Sequence, residues 1–286
     1  MSETPKTIIF CGTPDFAVPS LQALANDTAF KIILVITQPD QPVGRKRTIT
    51  PPPVKVAAEK LGLPVEQPEN INSATLPNCD YLVVVAYGQI LKQEVIDHPN
   101  ISSVNLHGSL LPIWRGASPM QPAILHGHTE TGVSVQRVVL KVDAGDVLAQ
   151  ELIHLGDRET FATLHDKLAT LGAPLLCKTL EQEPEGRRQD PQQSSHCKKL
   201  TRKDGEVEQQ NMTATEIDRM VRALNPWPGV TCEINSTKVK LLESALIPSK
   251  NAYELPCKDD TTLYIEKLHP PGKKSMTGAE WKRGKH

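Results

Sequence analysis

Short apolar runs alternate with amphipathic stretches along the first half of this 286-residue chain. Four runs have the length and the continuous apolar character of strands buried on both faces of a sheet: TIIFCG (7–12), KIILVIT (31–37), DYLVVVA (80–86) and SSVNL (102–106). Two of the stretches between them have the periodicity of helices: FAVPSLQALA (16–25) and VKVAAEKLG (54–62). Strands that alternate with helices form βαβ units, so the sequence predicts a Rossmann-like α/β fold with a mostly parallel sheet.

The connections after these strands indicate where a site should lie. GTPDFAVPS (12–20) follows the first strand and lacks the G-x-G-x-x-G pattern of dinucleotide-binding folds, which disfavours a nicotinamide or flavin enzyme. Open parallel sheets bind ligands beyond the carboxyl ends of their strands. NLHGSLLPIWRG (105–116) begins at such an end, and it carries an amide, an imidazole and a guanidinium. We therefore expect a ligand site there.

The middle of the chain predicts further elements. Residues 132–156 indicate two strands around a tight turn at 143–146, and residues 159–182 indicate one long amphipathic helix or a pair of helices. Residues 183–196 are polar and have no apolar periodicity, which is typical of a linker.

The last part of the chain has the composition of a separate domain. TATEIDRMVRALNPWPG (213–229) predicts a helix that ends before Pro226, and short β-rich segments follow it, as in a small β-barrel. We therefore predict three regions: an α/β domain over 1–188, a linker over 189–204 and a C-terminal β domain over 205–286.

Three residues have the chemistry of an acyl transfer to an amine. His107 can give and take a proton near neutral pH, Asn105 can donate to a developing oxyanion, and Asp143 can orient an imidazole or accept a proton. No Ser or Cys stands in an evident nucleophile context, which favours direct transfer over a covalent acyl-enzyme. An Asn-x-His pair taken alone is more often a turn with a hydrogen-bonded histidine.

Longer segments resemble the folate-dependent formyltransferase family. NLHGSLLPIWRGASP (105–119) and VDAGD (142–146) are similar to the active-site segments of that family. Three further segments occur in the family's order: IIFCGTPDFAVPSL (8–21), TQPDQPVGRKR (37–47) and DYLVVVAYGQIL (80–91). The resemblance implies that 10-formyltetrahydrofolate donates a formyl group and that Asn105, His107 and Asp143 are catalytic.

The resemblance also implies a folate site. Two loops would line it, with residues Ser109, Leu110, Leu111, Pro112, Tyr87, Gly88, Gln89 and Ile90. Arg115 would either pair with an anion or brace its loop. The family's usual turn is G-L-D-T-G-D, whereas this chain has KVDAGD (141–146), so Asp143 is kept while the path of the loop is in question.

Two C-terminal segments, LNPWPG (224–229) and HPPGKKSM (269–276), resemble the members of the family that formylate methionine esterified to initiator tRNA. Residues 205–286 would then help to bind tRNA. Basic residues at two places would contact its phosphates: Arg45, Lys46, Arg47, Lys273 and Lys274. Charge alone favours a solvated loop tip for the first group, and only the resemblance favours tRNA binding there. The basic end of the chain is typical of nucleic-acid binding, with a solubilising tail as the alternative.

Charge, apolar runs and cysteine spacing disfavour several classes of protein. The net charge is -1, no apolar run reaches the length of a membrane span, and the first residues lack the pattern of a secretory signal, so we expect a cytoplasmic protein. The six cysteines include no C-x-x-C pair. Of the histidines that could suggest a metal, His126, His128 and His165, the first two lie at a predicted turn without a thiol ligand close in sequence. We expect no metal, no membrane partner and a monomer.

Other functions remain compatible with these residues. A formyltransferase for a small amine, such as a nucleotide-linked amino sugar or glycinamide ribonucleotide, would share the Asn-His-Asp set and the folate site. A formyl-folate hydrolase would replace the amine by water. A non-catalytic tRNA-binding protein would keep the fold alone. The basic loop and the NPWP segment favour the tRNA-dependent enzyme, because a small substrate explains neither.

Overall fold

The structure is a computed structural model that describes residues 4–44 and 46–284. The described residues form two compact units. The first unit contains residues 4–119, 131–153 and 165–196. The second unit contains residues 120–130, 154–164 and 197–284. Each unit therefore gathers three separate segments of the chain.

The first unit is built on a large α/β sheet. Its strands are β1 (Lys6–Gly12), β2 (Phe30–Ile36), β3 (Gln41–Val43), β4 (Thr48–Thr50), β5 (Val65–Glu66), β6 (Tyr81–Val85), β7 (Ser102–His107), β8 (Arg115–Gly116), β9 (Glu130–Arg137) and β10 (Val147–His154). Its α-helices are α1 (Val18–Asn26), α2 (Pro53–Lys60) and α3 (Gln93–Ile96), followed by α5 (Phe161–Gln182), which belongs to this unit from His165 onward. Two 3-10 turns, Asp15–Ala17 and Ile71–Ser73, complete the connections.

Seven strands form the main sheet among the described residues, in the order β10-β9-β7-β6-β1-β2-β5. The strands β5, β2, β1, β6 and β7 run parallel, whereas β9 runs antiparallel to β7. The predicted α/β fold with a mostly parallel sheet is confirmed. The central strand β1 is buried from Ile8 to Gly12, which explains its nearly continuous apolar sequence.

The order of the strands creates a crevice. From β1 the chain proceeds to β2 and β5 on one side, and it then returns to β6 and β7 on the other side. The carboxyl ends of β1 and β6 therefore border a topological switch point, where doubly wound sheets bind ligands. The Oγ1 of Thr13 donates a hydrogen bond of 2.7 Å to the main-chain oxygen of Tyr87 across this point.

The helical predictions also hold. Pro19 lies in the first turn of α1, where its missing N–H removes no helical hydrogen bond. Residues 161–182 form a single helix in spite of Pro174 inside it. The turn expected at 143–146 is part of a longer connection, because β9 ends at Arg137 and β10 begins at Val147.

Residues 183–196 belong to the first unit, although their polar composition suggested a linker. The polar groups of this segment are used in hydrogen bonds to the sheet connections. Arg187 and Val147 exchange two main-chain hydrogen bonds of 2.8 and 2.9 Å. Gln189 is only 6% exposed. A 3-10 turn, Pro191–Gln193, lies in the same segment.

The second unit is rich in strands, as predicted for the C-terminal region. Its elements are α4 (Met120–Leu125), β11 (His196–Cys197, at the border between the units), β12 (Glu206–Val207), α6 (Ala214–Leu224), β13 (Val230–Ile234), β14 (Thr237–Ala245), β15 (Tyr253–Pro256), β16 (Thr262–His269), β17 (Met276–Thr277) and α7 (Gly278–Arg283), with 3-10 turns at Arg202–Gly205 and Lys258–Asp260. Six strands form its sheet among the described residues, in the order β12-β13-β14-β16-β15, with β17 beside β16. The helices make this unit mixed α and β rather than all-β.

Helix α6 carries a buried charge. Asp218 is fully buried, and its carboxylate accepts hydrogen bonds from Arg158, Arg222 and the Ser244 hydroxyl at 2.8 to 2.9 Å. Such a set of partners is what keeps a carboxylate stable away from water. The helix ends before Pro226, as predicted, where the Asn225 amide donates to the Val221 and Leu241 carbonyls.

No helix within residues 4–44 and 46–284 combines the length and the apolar character needed to cross a membrane.

Candidate active site

Asn105 and His107 lie at the carboxyl end of β7. Residues two apart in a strand point to the same face of the sheet, so both side chains point to one side. Asn105 is half-buried and His107 is 6% exposed. The strand thus places an amide and an imidazole together at the edge where the sheet is expected to bind ligands.

Asp143 approaches this pair from the connection between β9 and β10. Its backbone has φ 52°, in the left-handed region that few residues other than glycine adopt. Its Oδ1 lies 3.6 Å from Nδ1 of His107 and 3.5 Å from Nδ2 of Asn105. The structure thus brings together the three residues that the sequence indicated as catalytic.

Two further groups hold the Asp143 carboxylate. The main-chain N–H of Gly116 donates to Oδ2 at 2.8 Å, and the side-chain amide of Gln136 donates to Oδ1 at 2.9 Å. Hydrogen bonds from uncharged donors stabilise an ionised carboxylate without cancelling its charge. Neither contact was predictable from the sequence, because Gln136 lies within a strand and a main-chain donor has no sequence signature.

His107 is held on its other side by the loop that follows β7. Its Nε2 lies 2.9 Å from the main-chain oxygen of Trp114, whose own N–H donates to Oγ of Ser195 at 2.9 Å. Both ring nitrogens of His107 therefore face oxygen acceptors. A protonated ring can donate to both oxygens, whereas a neutral ring can donate to only one of them.

Arg115 braces the loop through a protein contact. It is 3% exposed, and its Nε and Nη2 donate to Oε1 of Gln189 at 3.0 and 2.8 Å. Of the two roles that the sequence left open for Arg115, the structure thus shows a bracing contact. Gln189 was not among the expected site residues, since it lies in the polar stretch that suggested a linker.

The loop Ser109–Pro112, one of the two expected folate loops, is tightly braced. The Ser134 hydroxyl accepts from the Leu111 N–H at 3.0 Å and donates to the Ser109 carbonyl at 2.6 Å. Gln150 donates to the Leu111 carbonyl at 2.9 Å. Ser109 and Leu111 are buried, whereas Leu110 and Pro112 are half-buried, so the latter two have the more accessible side chains.

The second expected folate loop, Tyr87–Ile90, follows β6. The Tyr87 side chain is 2% exposed and packs within the apolar core. Gln89 fastens the loop, because its Oε1 accepts from the Ile71 N–H at 2.9 Å. Gly88 has φ 92° and is exposed, and Ile90 is 76% exposed. A ligand at this loop can therefore reach Gly88 and the Ile90 side chain, while Tyr87 can contribute through its backbone.

All of the expected phosphate-binding residues that the structure describes are exposed. Lys46 and Arg47 are at the tip of the exposed hairpin β3–β4, and Arg45 lies outside the described residues. At the base of this hairpin, Asp40 accepts from Lys55 at 2.9 Å and from Gln67 at 2.7 Å. In the second unit, Lys273 and Lys274 are exposed in the turn between β16 and β17.

The described residues include no group of three or more His, Cys, Asp or Glu side chains that could hold a metal ion. His126 and His128 are both exposed, and His165 pairs with Asp15 and Asp166.

Two relatives align with nearly the whole chain. Methionyl-tRNA formyltransferase from Halalkalibacterium halodurans is 38% identical over 300 residues, which cover 97% of this chain and 94% of the relative. The enzyme of the same name from Bacillus velezensis is 35% identical over 302 residues, which cover 98% of this chain and 95% of the relative.

Solved structures share the fold at lower identity. An N-formyltransferase from Helicobacter canadensis, in complex with folinic acid and dTDP-3-aminofucose, has a TM-score of 0.70 at 19% identity and covers 93% of this chain and 99% of its own. Methionyl-tRNA formyltransferase from Clostridium thermocellum has a TM-score of 0.55 at 15% identity and covers 86% of this chain and 95% of its own.

Two family models match successive parts of the chain. The model described as formyl transferase matches residues 6–180, and the model described as formyl transferase, C-terminal domain, matches residues 199–286. Together with the relatives of nearly full length, these matches show that the chain belongs to the formyl transferase family.

Proposed function

We propose that this chain transfers the formyl group of 10-formyltetrahydrofolate to the amino group of methionine esterified to initiator tRNA. One observation carries the chemical part of the proposal. Asp143 lies within 3.6 Å of His107 and 3.5 Å of Asn105, at the carboxyl edge of the sheet. The relatives named methionyl-tRNA formyltransferase, at 35% and 38% identity, support the choice of acceptor.

The three side chains fit the steps of a direct transfer. The amine attacks the formyl carbon, and the carbonyl oxygen becomes an oxyanion that Asn105 and His107 stabilise by donating hydrogen bonds. The attacking amine must lose a proton, which the pair of Asp143 and His107 accepts. The intermediate then collapses, the bond from the formyl carbon to N10 of the folate breaks, and N10 takes up a proton. Formyl-methionyl-tRNA and tetrahydrofolate leave.

The two loops after β6 and β7 are suited to the folate. Their strands are parallel neighbours, so both loops leave the sheet at the same edge. Leu110, Pro112 and Ile90 would supply apolar walls, and the exposed backbone at Gly88 would let a flat ring approach closely. The Helicobacter canadensis relative of similar fold was solved with folinic acid, a formylated tetrahydrofolate, which supports a folate as the formyl donor.

Two basic sites would contact the tRNA. Arg45, Lys46 and Arg47 would bind phosphates, and of these Lys46 and Arg47 lie at the tip of the β3–β4 hairpin. Lys273 and Lys274 in the second unit would add to the affinity. We assign catalysis to residues 1–188 and tRNA binding to residues 205–286. Of the predicted linker over 189–204, residues 189–196 pack within the first unit, and the remainder is the connection. We also propose that the chain acts in the cytoplasm as a monomer.

A panel of acceptors tests the proposal. The purified chain is incubated with 10-formyltetrahydrofolate and, separately, with methionyl initiator tRNA, uncharged tRNA, free methionine and a dTDP-linked amino sugar. We expect formylation of the charged tRNA alone. Formylation of the amino sugar would establish a small-amine formyltransferase instead, and release of formate without any formylated amine would establish a hydrolase.

A further inference from the structure

Gln189 connects the polar segment 183–196 to the backbone of Asp143. Its side-chain Nε2 lies 3.0 Å from the Asp143 carbonyl oxygen, 2.6 Å from the Gly145 carbonyl oxygen and 3.2 Å from Oε1 of Gln136. One amide nitrogen therefore holds both ends of the turn that presents the Asp143 carboxylate. Gln136, which this nitrogen also contacts, itself donates to that carboxylate.

Arg115 fixes the orientation of the Gln189 amide. The Arg115 guanidinium can only donate, and the carbonyls of Asp143 and Gly145 can only accept. The amide must therefore direct its oxygen toward Arg115 and its nitrogen toward the turn. Because Arg115 and Gln189 are 3% and 6% exposed, water cannot readily replace either set of contacts.

The turn itself depends on outside contacts. Asp143 has φ 52°, a left-handed conformation that is uncommon for residues other than glycine, although aspartate adopts it more readily than most. Gly145 is equally constrained, because a Cβ atom there would lie 1.9 Å from the Arg137 carbonyl oxygen. Such a conformation persists only where the surrounding structure holds it, and the Gln189 amide contributes by contacting the carbonyl oxygens of Asp143 and Gly145.

We propose that Gln189 is a positioning residue for formyl transfer: it holds the turn at Asp143 so that the carboxylate faces His107 and Asn105. The segment around it is anchored at both ends, by Arg187 on Val147 and by Ser195 on Trp114. This inference rests on the proposed function for its kinetic consequences, but its structural part does not depend on which acceptor is used.

Two variants of Gln189 separate positioning from simple support of Arg115. Gln189→Met removes both hydrogen-bonding groups at nearly constant size. Gln189→Glu keeps an oxygen for Arg115 but replaces the donor to the Asp143 and Gly145 carbonyls by a second oxygen. Gln192→Met is the matched control, since the Gln192 side chain in the same segment is exposed.

We expect both Gln189 variants to lower kcat by about 10- to 100-fold, the size of effect that a misplaced catalytic group produces, with little change in KM for the folate. Gln192→Met should behave as the unmodified chain. If Gln189 only supported Arg115, Gln189→Glu would keep its turnover, and that result would overturn the proposal. Circular dichroism identifies a Gln189 variant that fails to fold, and the turnover of the other Gln189 variant then tests the proposal.

A double-mutant cycle and an exchange measurement complete the test. If Gln189 acts through Asp143, adding Gln189→Met to Asp143→Asn should cost little further activity, whereas multiplicative losses would contradict the proposal. The Gly116 N–H donates to Asp143, so its hydrogen exchange should become faster in Gln189→Met and stay unchanged in Gln192→Met. Unchanged exchange in Gln189→Met would overturn the inference. If the unmodified chain transfers no formyl group, the proposed function is wrong. The exchange result alone then decides whether Gln189 holds the turn at Asp143.

Discussion

Nδ1 of His107 lies 3.6 Å from Oδ1 of Asp143. This distance exceeds the usual range for a hydrogen bond. Catalytic hydrogen bonds are often long before the substrate binds and become shorter in the complex. The pair is therefore placed to receive the proton of an attacking amine.

Replacing His107 with Ala should lower kcat for formyl transfer by roughly 10²- to 10⁴-fold, the contribution expected from a positioned acid–base group. Affinity for tRNA should change little, because His107 is only 6% exposed and is not among the basic residues expected to contact phosphates. Steady-state kinetics and a filter-binding assay measure the two effects separately. Near-normal turnover in this variant would show that the imidazole has no part in the chemistry.

The basic tip of the hairpin should govern the use of tRNA. Changing Arg45, Lys46 and Arg47 together to Ala should raise KM for the charged tRNA, leave folate affinity unchanged and reduce the salt dependence of tRNA binding by up to about three units of log–log slope. A control with the same charge change replaces three exposed lysines of the first unit: Lys31, Lys60 and Lys92. If the two triple variants raise KM for the charged tRNA equally, tRNA binding depends on the net charge of the chain rather than on the hairpin.

Asp40 should affect the same hairpin from its base. The Gln67 hydrogen bond and then the Lys55 ammonium lower the pKa of Asp40, so the carboxylate is ionised at neutral pH and can hold both partners. Asp40→Asn should loosen the hairpin and raise KM for the charged tRNA by a few-fold, on the order of the loss of one exposed ion pair. Folate affinity should not change. Asp97→Asn, another exposed carboxylate of the first unit, is the control, and a matching rise in that variant would refute this role.

Buried thiols should make the folded chain sensitive to alkali. Burial raises the pKa of Cys79, Cys177 and Cys232 from 9.0 to about 11. A group with a raised pKa stabilises the fold fully below its unfolded pKa and loses this contribution as the pH rises, here from about 9 to about 11. The free energy of unfolding, measured in urea with a reductant, should fall over this window. Cys232→Ala should show a smaller fall, and an identical pH dependence in that variant would contradict the assignment.

Much of the fold follows directly from the sequence. Strands such as β1 and β6 are buried on both faces, so their apolar runs stand out and their bounds are predicted to within a residue or two. The reversed direction of β9 was not predicted, because apolar periodicity is the same for parallel and antiparallel strands. The packing of residues 183–196 was also not foreseen, because hydrogen bonds to polar side chains leave no periodic pattern.

The candidate site was predictable only in part. Asn105 and His107 share one face of a strand, so their spacing alone places them together. Asp143 joins them across 36 to 38 positions of sequence, and its inclusion depended on the chemistry of its carboxylate and on the resemblance rather than on periodicity. Gln136 and Gln189 have neutral amides that also suit the surface of a protein, and only their hydrogen bonds identify them as part of the site.

Single-turnover transfer tests the central claim most directly. Excess enzyme is mixed with methionyl initiator tRNA and 10-formyltetrahydrofolate labelled in the formyl group, and the label is followed in the folate, the denatured protein and the tRNA. We predict that the label leaves the folate and enters the tRNA with the same rate constant, without accumulating on the protein, and that His107→Ala slows both processes equally. Label that first accumulates on the protein, or that is released as formate while the tRNA stays unlabelled, would contradict direct formyl transfer.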